Sequence, residues 1–519
     1  MQMHIKKSFI VASLTLTLVA GAAAQTSRRK AGGRQVPAKP AALQPTPTPL
    51  PKKEPRAPKA PIPLAIVNDQ TITTADIDPN VREEVESLAE RIADASRQVF
   101  ELQINTALLE LEASKRKLPP QQLYNLEVSK RITEPTDAEI QKFIEDNRDQ
   151  INEADPATVR SEAIALLRAN QEAKISEEFV RRLRGANSAV MVSSSYSPNL
   201  PPSAVLATVA GKPITAGVIT ERLKPIIYKL RLDAYEMQKD AVERTIKDLL
   251  LIAEANRRNV PPEEIVRTEV SEKAHVPTEA EVAKFYAENK TRITRDFDSV
   301  RNQVAEYLQE QERERLEQTM TEKLRKGASV RLLISEPQQP VQVISEDDDP
   351  SLGPATATVS VVEFTDFQCP ACAAMHPVLE EVQKVYKEKV RFVVRDFPLT
   401  MHANARKAAE AANAAQAQGK FFEYTALLFK RQKALDVPSL KKYATEIGLN
   451  RAAFDAALDS GKYAAEVQHD VSDGEVYGVN STPTIFVNGV VLRTLSAEAL
   501  RAAIDRALGA TPATRSKLD

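Results

Sequence analysis

The chain contains no tryptophan, and aromatic residues make up only 5% of its 519 positions. Cores built without large rings must rest on Ala, Leu, Ile and Val, which points to helical packing over much of the length. There are two cysteines, Cys369 and Cys372, so no disulfide can brace any other part of the chain. A zinc site needs four N, S or O ligands, and a lone CxxC with five histidines in the whole chain is a poor source of them. The formal net charge is -1, which gives no electrostatic reason to expect nucleic acid as a partner. The phosphate-binding G-x-x-x-x-G-K-[ST] loop, a G-x-G-x-x-G after a strand and H-E-x-x-H are all absent. Nucleotide, dinucleotide and zinc-protease chemistry are therefore not expected, and no cofactor or metal is called for. Beyond the first twenty or so residues, no run is apolar enough to span a membrane.

What is present begins with a leader-like segment. Lys6 and Lys7 precede the short apolar run Phe9–Ala20, and small residues follow at Ala22 and Ala24. This is the pattern of a secretory signal peptide cleaved after Ala24. An uncleaved anchor is the alternative, but the run is short for ~30 Å of hydrocarbon. The expected location is periplasmic or otherwise extracytoplasmic, in an oxidising compartment.

At ~100–200 residues per domain, about three domains are expected. Residues 25–62 are dense in Pro and basic, and read as a disordered, semi-rigid linker. It is either a solvated tether or a segment touching anionic lipid or cell wall. An internal duplication follows. "AIVNDQTIT" (Ala65–Thr73) matches "ATVAGKPIT" (Ala207–Thr215) at an offset of 142, and the offset persists through Asn147 and Asn289. Shared landmarks are Pro119-Pro120 with Pro261-Pro262, and "PTDAEIQKFIEDN" with "PTEAEVAKFYAEN". Apolar residues recur at helical spacing in Ile219, Leu223, Ile226 and Leu230. Thr136-x-x-Glu139 and Thr278-x-x-Glu281 are capping boxes. Each copy starts and ends with strand-like sequence, so first and last strands are expected to pair and close each module.

On "VAGKPIT", "LLLIAEANRRNV", "PTEAEVAKFYAEN" and the late helix Val300–Gly327, the copies resemble SurA/PrsA-type N-terminal chaperone modules. The resemblance implies tandem, mostly helical modules at 63–200 and 203–337 that hold client polypeptide. Some relatives carry a parvulin prolyl isomerase after the "FYAEN" helix. Here only a dozen or so residues separate that helix from the next, so isomerase activity is not expected. Residues 338–354 read as a second linker, with a solvated acidic run at Glu346–Asp349.

From Ala355 the pattern changes. The strand-like "ATVSVVEFTDF" runs into Cys369, and "CAAMHPVLEEVQKVYKEK" reads as a helix. A nucleophilic Cys369 at a helix N-terminus has orphan N–H groups and the macrodipole beside it, which favour a negative sulfur. Cys372 lies one turn on, able to attack a mixed disulfide on Cys369. Pro370 fits the first helical turn. Half a metal site and an inert structural disulfide are the competing readings of the pair. Further on, Thr482-Pro483 precedes the strand-like "TIFVNG", and a cis bond is expected there.

The segment 355–510 resembles the DsbA-like branch of the thioredoxin superfamily. "VEFTDFQCPAC", "RDFPLTMHANARKAAEAANAA", "GKFFEYTALLF" and "GVNSTPTIFVNG" carry the resemblance. It implies an α/β thioredoxin fold with a helical insertion near 402–473, followed by a tail at 511–519. It also implies a redox-active Cys369–Cys372 pair, with cis-Pro483 opposite. In this branch the acidic residue six before the first cysteine, here Glu363, helps move the proton of the second sulfur. Thr482, Pro370 and Ala371 would border the client. Strongly oxidising members carry His where this chain has Ala371, so the expected potential lies between ~-120 and ~-270 mV. His376 is a secondary candidate base, and His402 is expected to help start a helix.

The expected function is an exported thiol–disulfide oxidoreductase acting on unfolded or exported polypeptides, served by a membrane or soluble redox partner. A holdase in which the CxxC is secondary, and an isomerase or reductase rather than an oxidase, remain the alternatives. Dimerisation through the helical modules is also open.

Overall fold

A computed structural model describes residues 60–509, apart from 148–155, 188, 192–195, 198, 291, 294 and 347. The expected leader, nearly all of the Pro-rich linker and the tail lie outside the described residues. The protein is mostly helical, with an α/β domain at its C-terminal end.

The first sequence copy forms β1 (Pro63–Val67), β2 (Gln70–Thr73), α1 (Pro79–Arg116), α2 (Pro120–Glu127), α3 (Asp137–Asp146), α4 (Pro156–Ala186) and β3 (Ala189–Met191). The second repeats the order as β4 (Val205–Val209), β5 (Lys212–Thr215), α5 (Ala216–Arg258), α6 (Pro262–Val266), α7 (Glu279–Glu288), α8 (Phe297–Lys326) and β6 (Val330–Leu332). The duplicated motifs build the same local structure twice. Pro120 and Pro262 each open a helix, where the missing N–H costs nothing. Both capping boxes are closed: Glu139 N and Glu281 N donate to the Oγ1 of Thr136 and Thr278, and each Glu carboxylate accepts from the Thr N–H.

The strands pair differently from the expectation. Neither copy closes on itself. β1 of the first copy pairs antiparallel with β6 of the second, with Ala65 opposite Leu332. β3 of the first pairs antiparallel with β4 of the second, with Met191 opposite Ala207. The duplicated residues Ala65 and Ala207 thus hold matching places in two three-stranded sheets, ordered β2-β1-β6 and β3-β4-β5. Loop entropy favours this exchange, because β3 ends at Met191 and β4 begins at Val205, a far shorter closure than one across a whole copy.

Two compact units result. One holds the described residues up to Ala89 together with Leu232–Glu336. Its core packs Leu64, Val67 and Ile72 against Val242, Ile246 and Leu250. The other holds Glu90–Arg231 and the residues from Pro337 onward. Its helical core joins Phe100, Ile104 and Leu108 to Phe179, Leu206 and Ile219.

The C-terminal domain runs β7 (Ser351–Leu352), β8 (Val359–Thr365), α9 (Pro370–Tyr386), β9 (Val390–Asp396), α10 (Ala405–Gln416), α11 (Phe421–Lys430), α12 (Val437–Glu446), α13 (Arg451–Ser460), α14 (Ala464–Tyr477), β10 (Thr484–Val487), β11 (Val490–Val491) and α15 (Ala497–Gly509). Its sheet order is β11-β10-β8-β9-β7. β8 and β9 are parallel and joined through α9, while β10 runs antiparallel to β8. Every residue of the central β8 is buried. Alternation along it separates two faces. Val359 and Val361 meet Met375, Leu379 and Val382 of α9 and Leu500 of α15, while Val362 and Phe364 meet Phe397 and Phe486. The helical insertion comprises α10–α14 and has its own core around Tyr424, Leu440 and Phe454.

Residues 338–354 are not a free linker. Gln342 N donates to Gly489 O at 2.8 Å, Gln339 Nε2 donates to Val491 O at 3.0 Å, and β7 pairs with β9. The acidic run is not simply solvated either. Asp349 lies 2.9 Å from the guanidinium of the fully buried Arg395, which Asp470 and Asp473 also meet at 2.5 and 3.1 Å. A buried cation requires such partners, and the segment supplies one. Gly489 is obligatory at the β10–β11 turn. Its φ is +78°, and a Cβ there would lie 1.9 Å from Gln342 O.

Candidate redox site

β8 delivers the chain to Cys369, the N-cap of α9, where Pro370 occupies the first helical position. Cys369 N donates to Asp366 O at 3.0 Å, closing the turn between strand and helix. Both sulfurs are free thiols. Cys369 retains 6% exposure, whereas Cys372, one turn inward, is completely buried. Pro370 and Ala371 are exposed between them. The Thr482–Pro483 bond is cis, and Cys369 Sγ donates to Thr482 O at 3.4 Å. Residues 113 apart in sequence thus meet at one sulfur.

Glu363 lies inside the domain, 8% exposed, on the β8 face that α9 covers. Burial raises its carboxyl to about 7, against a smaller opposing effect of the Thr365 hydroxyl. Burial likewise pushes the Cys372 thiol up to about 12; Thr365, the Asp366 backbone and Thr482 oppose the shift, and the Glu363 charge adds slightly to it. The inner thiol therefore keeps its proton near neutral pH unless a base removes it.

Several residues at the site have no local signature in the sequence. Gln432, just beyond α11, donates through Nε2 to Cys369 O at 2.8 Å and to Phe367 O at 3.0 Å. The insertion is thereby tied directly to the cysteine turn. Asp366 accepts from Gln368 N at 2.7 Å and Leu399 N at 2.9 Å, and its Oδ2 lies 2.7 Å from His402 Nδ1. His402 bonds through its side chain to this carboxylate, and its backbone O accepts from Ala405 N at 3.2 Å, where α10 begins. His376 packs against the Phe429 ring, centroids 4.6 Å apart, with Glu380 at 3.6 Å, and burial lowers its pKa. No hydrogen bond joins it to either cysteine among the described residues. Glu466, His469 and Asp470 bring potential metal-ligand atoms within 4.8 Å of one another, but Asp470 already holds Arg395 and accepts from Asp396 N at 2.8 Å. The ion pair with Arg395 accounts for the place of Asp470 in this cluster.

A family model described as thioredoxin matches residues 345–506. The C-terminal domain is thioredoxin-like. This is the fold in which a strand–CxxC–helix element carries out thiol–disulfide exchange in general. Among curated proteins, the chain is 40% identical over 147 residues to Na(+)/H(+) antiporter NhaA 3 of Salinispora tropica, covering 28% of this chain and 22% of that protein. It is 36% identical over 152 residues to Na(+)/H(+) antiporter NhaA 1 of a Mycobacterium species, covering 29% and 25%. The chain thus spans about a quarter of these relatives' length. Among solved structures, similarity extends to BdbD from Bacillus subtilis (24% identity, TM-score 0.31, 32% of this chain and 96% of that one). It also extends to a thioredoxin-like oxidoreductase from Silicibacter pomeroyi (26%, 0.30, 32% and 95%). A third is α-DsbA1 of Wolbachia pipientis (21%, 0.30, 32% and 94%). No described helix is long and apolar enough to cross a membrane.

Proposed function

We propose that the protein is an extracytoplasmic, DsbA-like thiol–disulfide oxidoreductase acting on unfolded or exported polypeptides. The observation that carries this reading is the approach of Cys369 Sγ, at the N-terminus of α9, to the carbonyl preceding cis-Pro483. In the oxidising direction a client thiolate attacks Cys369 of the Cys369–Cys372 disulfide. Cys372 leaves as a thiolate and takes up a proton, for which the buried Glu363 is the donor. A second client thiol then attacks the mixed disulfide and releases Cys369. Thr482, Pro370 and Ala371 border the place where the client chain would lie. Extended client backbone would pair there like an added strand.

The duplicated helical region is assigned the role of a SurA-like client holder, at 63–200 and 203–337 by sequence copy. Holding the client on the same chain raises its effective concentration at Cys369. A soluble or membrane redox partner would restore the disulfide.

The test is oxidative refolding of a reduced, unfolded protein by the full chain. Cys369→Ser abolishes it under this reading. Activity retained in that variant would leave holding alone as the function. Titrating the Cys369–Cys372 pair against glutathione separates directions: a potential near thioredoxin's, ~-270 mV, favours a reductase over an oxidase.

A further inference from the structure

Thr365 closes β8, two positions after Glu363, so both side chains leave the strand on one face. Phe364 between them points to the opposite face, among Phe397, Tyr477 and Phe486. The face carrying Glu363 and Thr365 is the one covered by α9, which starts with the buried Cys372 in its first turn. Thr365 is 1% exposed, yet its Oγ1 has no hydrogen-bond partner of good geometry among the described residues. A valine would fill the same volume without stranding a hydroxyl, so the unpaired group calls for a reason. The reason lies in its neighbours. The Thr365 hydroxyl acts on the charged form of both Glu363 and Cys372. No hydrogen bond joins Glu363 to Cys372 directly among the described residues. The third group bordering the sulfur from the cis-Pro loop is Thr482, which carries no charge.

We propose that the Thr365 hydroxyl relays the proton between Cys372 Sγ and the Glu363 carboxylate. The proposal rests on the reading of Glu363 as the proton acceptor. When a mixed disulfide is resolved, the Cys372 proton moves to Thr365 Oγ1 as the Thr365 proton moves to the Glu363 carboxylate. The Cys372 sulfur pair attacks Cys369 Sγ, the Cys369–client S–S bond breaks, and the client sulfur leaves as a thiolate. Cys372 is oxidised and the client sulfur reduced. Client oxidation runs through the same positions in reverse, with the proton returning to Cys372.

The test uses the full chain, reduced and mixed with oxidised glutathione, followed by stopped flow from pH 5 to 9. The first phase, attack by Cys369, reports a site that is still assembled. The second phase, resolution by Cys372, reports the relay. Thr365→Val should leave the first phase unchanged and slow the second at pH 7 by roughly 100-fold, the low end of the range for losing an acid–base group. It should also lose the limb of the pH profile near 7. Thr365→Ser should stay within about threefold of the parent, since it keeps the hydroxyl. Thr365→Ala, lacking the hydroxyl and the methyl, should behave as Val does. Glu363→Gln should lose the same limb. A parental second phase in Thr365→Val and Thr365→Ala, with the limb lost in Glu363→Gln, overturns the relay alone. A parental profile in Glu363→Gln overturns the Glu363 reading and the relay with it.

Discussion

At the scale of single residues, the site divides by how far apart its members lie in sequence. Cys369, Cys372 and Glu363 share one short stretch, and strand alternation with helix onset fixes their relative placement. Thr482-Pro483 lies over a hundred residues on but carries its own turn signal. Gln432 carries none, because a glutamine amid polar loop sequence looks like any other, and the bond of Asp366 to His402 across 36 positions is visible only once the chain is folded. Only the folded insertion brings Gln432 to the Cys369 carbonyl. Glu363 gives a residue-scale prediction. Its carboxyl titrates near 7 when folded against a usual 4.5, so the folded state binds the extra proton between these values. Stability therefore falls as pH rises from about 4.5 to 7 and stays lower above, by about 3 kcal/mol from a shift of this size. Glu363→Gln should be more stable than the parent at pH 8, with the difference fading toward pH 4.5 in urea unfolding of the C-terminal domain's signal. Equal midpoints at pH 8 would show that Glu363 titrates normally.

At the scale of elements, local signals wrote local structure. The two capping boxes formed where Thr and Glu stood three apart, and the Pro-opened helices began at Pro120 and Pro262. Residues 338–354 failed as a linker for a reason composition does not hold. Pro and acidic residues read as solvated unless a buried cation elsewhere needs them, and Arg395 sits in a strand whose neighbours look ordinary. Asp349→Ala leaves that guanidinium one buried partner short. The loss should be of order 3 kcal/mol, less whatever Asp470 and Asp473 recover, measured by chemical denaturation. No change on mutation would mean that the segment contributes nothing to the domain. Thr278→Ala removes one cap and should cost about 1 kcal/mol, seen as faster hydrogen exchange in the first turn of α7.

At the scale of the whole chain, the duplication was legible and its consequence was not. Sequence identity at a fixed offset says that two copies exist, but not which copy's strand pairs with which. Because β1 pairs with β6 and β3 with β4, the copies share both sheets. Residues 60–200 and 203–336 produced separately should each be poorly structured by circular dichroism and regain helix when mixed. Two independently stable fragments would show that the exchange is not needed for folding.

Trapping in cells tests directly whether Cys369 is the attacking sulfur toward polypeptide clients. The Cys372→Ala full chain, expressed in cells and acid-quenched, should carry polypeptides linked through Cys369 that reductant releases. They should be absent when Cys369→Ser is added. No reductant-sensitive adduct on Cys372→Ala, from cells whose exported proteins still contain free thiols, would contradict the claim.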